Sequence, residues 1–191
     1  MDDLRPIAML VRNERGVLAR VASLFARRGF NITSLAVGET ENPHLSRISV
    51  VVKGDDATVE KAVKQLKRLV CVIRVEDLSR SPRMERGLAL IKVRVDHQSR
   101  AEVVDLVNIF RARVDHVGPD CLVVEVAGDR GKVQAMTDML RPYGIMEMAR
   151  TGQISLTRDH TLRGENDLTR IVPGPAPEPA VYNKYLAPKE A

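Results

Sequence analysis

Gly16 stands directly before an apolar-periodic run in LVRNERGVLARVASLFARRGFNI, with Asn13 three residues upstream and Asn31 at the far end of the same unit. A helix that starts at Val17 leaves its first backbone N–H groups without intrahelical partners, and the positive end of its dipole lies behind them. Glycine has no Cβ, so a small anion can approach that backbone closely. The amide oxygens of Asn13 and Asn31 suit a cationic group. Carboxylate and ammonium on one small molecule describe an amino acid. Glycine also serves tight turns and asparagine caps them with no ligand present, so local chemistry by itself leaves both readings open.

Other chemistry has less support. His44, His97, His116 and His160 are scattered, with no HxH or HExxH spacing. Cys71 and Cys121 sit in LVCVIRV and DCLVVEV without a CxxC pair and read as small buried hydrophobes. GDRGK, from Gly128 to Lys132, lacks the GxxxxGK[ST] spacing of a phosphate loop and reads as a strand-to-helix turn. With no nucleophile, acid–base or metal cluster in view, the expectation is a chain that binds instead of transforming, with no cofactor or metal of its own.

The elements that must position Gly16 and its neighbours follow a repeat. PIAMLV reads as a strand, Leu18, Val21, Ala22 and Phe25 as the apolar stripe of a helix, and NITSLAVGE and SRISVVVKG as two further strands. A second helix, capped at Asp55 or Asp56, places Val59, Ala62, Val63 and Leu66 on one stripe before VCVIRVEDL returns as a strand. The order βαββαβ spans residues 4–78.

After the polar link SRSPRMERG the order starts again. LALIKVRVD is a strand, and Val103, Leu106, Val107 and Phe110 share a helix face. Strands at RVDHVGP and CLVVEVAG precede a helix carrying Val133, Met136 and Leu140, and IMEMARTGQISLTR closes a second unit over residues 84–158. The predicted fold class is α+β, two tandem ferredoxin-like domains. Five of the ten prolines fall in VPGPAPEPAVYNKYLAPKEA, which makes 159–191 a Pro-rich tail without periodicity.

The 191 residues, 44% hydrophobic, are enough for a packed core, and no apolar run approaches the ~20 residues of a membrane span. With no basic start and apolar stretch of a secretory signal in MDDLRPIAML, the expected location is the cytoplasm. The net charge of +5 permits nucleic-acid binding. The strands SRISVVVKG and CLVVEVAG, however, carry none of the aromatics on which RNA-recognition sheets stack bases. Neither a nucleic acid nor a membrane is expected as a partner.

NERGVLARVASLFARRGFNITSLAVGETENPHLSRISVVVKGDD, residues 13–56, resembles the opening of the small regulatory subunits of acetolactate synthase (acetohydroxyacid synthase), an ACT-domain family. The similarity continues through VEKAVKQLKRLVCVIRVEDL and, more loosely, ERGLALIKV, VDLVNIFRARVDHVGPDCLVVEVAG and MEMARTGQISLTR. The resemblance implies an N-terminal ACT domain followed by a C-terminal regulatory-subunit domain. It implies a subunit that activates a thiamine-diphosphate-dependent catalytic partner, the holder of any thiamine diphosphate, Mg and FAD, and makes that partner sensitive to valine. It further implies a homodimer of side-by-side ACT domains with valine or a related branched-chain amino acid at their interface. Carried over by motif, the amides of Gly16, Val17 and Leu18 would hold the carboxylate, Asn13 would sit beside the polar end, and Asn31 and Ile32 of the neighbouring protomer would complete the pocket. A free-standing ACT-domain sensor acting on another enzyme is the alternative, since its pocket would look the same.

Overall fold

The computed structural model describes residues 4–158. The Pro-rich tail and His160 lie outside the described residues.

Two βαββαβ units follow one another, as expected. In the first, β1 (Leu4–Arg12), α1 (Val17–Arg28), β2 (Asn31–Glu39), β3 (Leu45–Lys53), α2 (Asp56–Leu66) and β4 (Val72–Asp77) form an antiparallel sheet in the order β2-β3-β1-β4. In the second, β5 (Arg83–Arg94), α3 (Ser99–Ile109), β6 (Arg113–Val117), β7 (Cys121–Gly128), α4 (Arg130–Leu140) and β8 (Ile145–Arg150) repeat the arrangement as β6-β7-β5-β8. Each sheet buries one face under its two helices. Because strand side chains alternate, Ile7, Met9 and Val11 of β1 and Ile48, Val50 and Val52 of β3 point into the first core, while Ile91, Val93, Val124 and Val126 point into the second.

The stripe on α1 differs in phase from the sequence expectation. Val21 and Phe25 are buried, but they are joined by Val17 and Leu24, whereas Leu18 is 42% exposed and Ala22 is also on the surface. Residues 17, 21, 24 and 25 and residues 18, 21, 22 and 25 both keep helical spacing, and the sheet beneath selects between them. Phe25 packs edge-on against Phe30, with ring centroids 5.7 Å apart. On α2 the expected stripe is buried apart from the half-buried Val63. On α3, Val103 and Val107 are buried and Leu106 and Phe110 pack half-buried beside them.

A second difference lies where the two units meet. SRSPRMERG is only partly a link, because β5 begins inside it at Arg83. The closing stretch is two strands, β8 and a further strand, β9 (Ile154–Thr157), separated by Thr151–Gln153. β9 pairs with the first half of β5, Arg83 opposite Thr157 and Arg86 opposite Ile154.

This segment lies against the helix-free face of the first sheet. The Gln153 amide donates to Ser34 Oγ at 2.8 Å, and Arg47 Nη2 donates to the Ser155 carbonyl at 3.2 Å. Burial lowers the Arg47 pKa, and Glu76, at 3.7 Å, opposes the shift. A Cβ built on Gly152 would sit 2.0 Å from the Leu35 carbonyl oxygen, so only glycine lets the two backbones approach this closely. Among the described residues no helix is long and apolar enough to cross a membrane.

Candidate functional site

The turn between β1 and α1 is built around one left-handed residue. Gly16 has φ of 80° and occupies the N-cap position of α1. A side chain there would be conformationally strained by roughly 1–2 kcal/mol. An ideal Cβ at Gly16 meets nothing within 4 Å, so the space in front of this turn is open.

No side chain caps α1 and its first turn contains no acidic residue. Of the three candidate amides, Val17 makes a long bond of 3.4 Å to the Glu14 carbonyl, while those of Gly16 and Leu18 have no acceptor among the described residues. Outward-facing donors and an uncompensated dipole end make this turn attractive to a carboxylate.

Asn13 is anchored beside it. Its backbone amide donates to the His44 carbonyl at 2.7 Å. Its side-chain Nδ2 donates to Glu39 Oε1 at 3.0 Å and to the Pro43 carbonyl at 2.9 Å. With both amide protons committed, Asn13 Oδ1 is left to accept, and the Glu39 carboxylate adds a negative charge nearby. An ammonium group would find both. Glu39 was not legible as a site residue, because 26 positions separate it from Asn13 and only the β2–β3 hairpin brings them together.

Within one chain the structure assembles Asn13, Gly16, Val17 and Leu18 but not Asn31 or Ile32. Those two begin β2, Asn31 opposite Lys53, whereas Glu39 ends it. The strand is roughly 26 Å long at about 3.3 Å per residue, so Asn31 cannot reach a molecule held at Asn13 of the same chain. Asn31 is exposed, Ile32 is half-buried against the first core, and β2 is an edge strand.

The remaining candidates have structural roles. Cys71 and Cys121 are free and buried. In GDRGK, Asp129 caps α4 by accepting from the Lys132 amide at 2.8 Å, and Lys132 Nζ donates to the Ala127 carbonyl at 2.9 Å, so the lysine is engaged within the turn. Among the described residues no group of three His, Cys, Asp or Glu side chains is arranged to hold a metal ion.

The fold and this turn define a class first: tandem ferredoxin-like units, the first of ACT type, with an open helix start beside a sheet edge. A family model described as "AHAS small subunit-like ACT domain" matches residues 7–74, and one described as "Small subunit of acetolactate synthase" matches residues 86–159. The probable acetolactate synthase small subunit of Archaeoglobus fulgidus is 52% identical over 152 residues, covering 80% of this chain and 95% of that protein. The acetolactate synthase small subunit of Aquifex aeolicus is 46% identical over 162 residues, 84% of each chain. The crystal structure of the Thermotoga maritima small subunit superposes with a TM-score of 0.75 at 44% identity, covering 81% of this chain and 97% of that one. The chain belongs to the acetolactate synthase small-subunit family.

Proposed function

We propose that this chain is the regulatory subunit of an acetolactate synthase, that it activates the catalytic subunit, and that it makes the enzyme sensitive to valine or a related branched-chain amino acid. The observation that carries the reading is the uncapped start of α1, facing open space beside the Asn13–Glu39 pair. The amino-acid carboxylate is held by the Gly16 and Leu18 amides, with the Val17 amide free to turn from its long bond. The ammonium lies toward Asn13 Oδ1 and Glu39.

Two copies complete the site. If two β2 edges pair antiparallel about Leu35, Asn31 of one protomer falls opposite Glu39 of its partner, which brings Asn31 and Ile32 to the α1 turn they cannot reach within their own chain. Exposed Leu18 and Ala22, on the face of α1 turned away from the sheet, and Val37, 47% exposed on β2, supply apolar surface for the pairing. An amino acid lying across that interface binds best to one relative orientation of the protomers. Such differential binding is what couples it to a catalytic partner that prefers another. Thiamine diphosphate, magnesium and, where used, FAD belong to that partner, in a cytoplasmic complex.

The test is the acetolactate-forming rate of the catalytic subunit from the same source, alone and with the purified chain, each with and without millimolar valine. A rate raised by the chain and then lowered by valine is the expected result. A rate indifferent to the chain would leave the free-standing sensor as the reading to pursue, by screening the pocket against other amino acids.

A further inference from the structure

A second recess lies on the opposite face of the first sheet from α1. It has a volume of about 530 Å³ and is bounded by β2 residues Thr33–Leu35, the Thr151–Gln153 segment, the start of β5 and the start of α4. That volume is typical of small-molecule sites, which favour junctions between structural units.

Its charges are unbalanced. Arg83, Glu85, Arg130 and Arg150 line it, and Glu85 is taken up by Arg83. Arg150 donates to Thr137 Oγ1 at 2.8 Å and to Gln134 Oε1 at 3.5 Å, both neutral acceptors. Asp138 lies within electrostatic reach of Arg150 but is bonded to Gln134 and Arg141. The Arg130 side chain has no hydrogen-bond or ion-pair partner among the described residues. Guanidinium groups left without carboxylates suit an organic anion.

The rest of the wall mixes polar residues, Thr33, Ser34, Thr151 and Gln153, with apolar ones. Pro6, Val51 and Leu88 face the same space. The lining therefore offers guanidinium groups to a negative group and Pro6, Val51 and Leu88 to a short hydrocarbon.

We propose that this recess binds a small organic acid with an aliphatic portion, at a site separate from the α1 turn. The two sites share β2, whose residues 33–35 line the recess and whose end, Glu39, is held by Asn13. They are also held in register by the Gly152 approach to Leu35. Occupancy of the recess stabilises the second unit against the strand that carries the effector residues.

The experiment is an NMR titration of the full ¹⁵N-labelled chain with acetate, propionate, butyrate and inorganic phosphate at constant ionic strength. Expected are shifts of the Thr33, Thr151 and Gln153 amides, with affinity rising roughly fourfold per added methylene. Arg130→Gln should weaken butyrate about tenfold, and Gly16→Asp should leave the butyrate shifts in place. Shifts lost in Gly16→Asp would put the acid at the α1 turn and overturn the assignment. Phosphate binding as well as butyrate would reduce the recess to bare charge attraction, which also overturns it. So would unchanged binding in Arg130→Gln, or no shifts at all.

Discussion

The same strand-to-helix junction occurs at β1–α1 and at β5–α3, and the two are finished in opposite ways. At α3, Asp96 Oδ1 accepts from the Ser99 amide at 2.7 Å, the Gln98 amide at 2.9 Å and Ser99 Oγ at 2.7 Å. The Ser99 amide, then its hydroxyl, hold the Asp96 carboxyl below the usual carboxylate range. The helix start carries its own carboxylate. At α1 the corresponding donors meet no side chain at all. Asp55 and Asp129 close α2 and α4 in the same manner, so among the four α-helices described only α1 is left without an internal anion. The fold does not need an uncapped helix start, since the second unit folds with Asp96 capping α3, and this makes the α1 turn the place where an external carboxylate would substitute for a cap.

Supplying α1 with a covalent carboxylate of its own is the strongest way to erase this difference. Gly16→Asp should raise the valine concentration for half-inhibition at least about a hundredfold, equivalent to about 2.8 kcal/mol, with the far-ultraviolet circular dichroism of the fold retained. Unchanged inhibition would place the effector elsewhere. Gly152→Ala tests the contact that joins the two halves of the comparison. Its Cβ would have to displace the Leu35 backbone, and overpacking of this kind costs about 1–3 kcal/mol, read as a lower Tm.

Asn13→Asp is a subtler exchange. It sets a second carboxylate against Glu39 and removes the donor that holds it, so valine affinity should fall about tenfold in calorimetric titration. The smallest effect is in acid. Because the folded-state pKa of Asp96 is depressed, its contribution to stability is complete above the unfolded value of about 3.9 and fades as pH falls through the folded pKa. Asp96→Asn should lower Tm by a few degrees at pH 7 and progressively less toward pH 3. An equal loss at both pH values would show that the carboxylate's charge is not what holds the start of α3.

Local sequence carried the features that rest on neighbours within a turn or two. The helix start at Val17, a cap at Asp55 or Asp56 that the structure places on Asp55, the strand alternation of SRISVVVKG and the turn nature of GDRGK are set by hydrogen bonds and periodicities a few residues long, so they were legible from residue types alone. The repeat of βαββαβ, and with it the α+β class, followed from the order of those elements.

What tertiary structure decided involves residues far apart in the chain. Two helical stripes are available on α1, and contact with the sheet buries Leu24 and leaves Leu18 outside. β9 exists as a strand because the first half of β5 offers it a partner some 70 residues upstream, a pairing that no period within ISLT reveals. Glu39 reaches Asn13 only through the hairpin, and Gly152 is required only because β2 lies against it. The sequence by itself determined which turn of the chain is left open; packing between distant segments determined what surrounds that turn, since burial and backbone approach depend on neighbours the local chain does not contain.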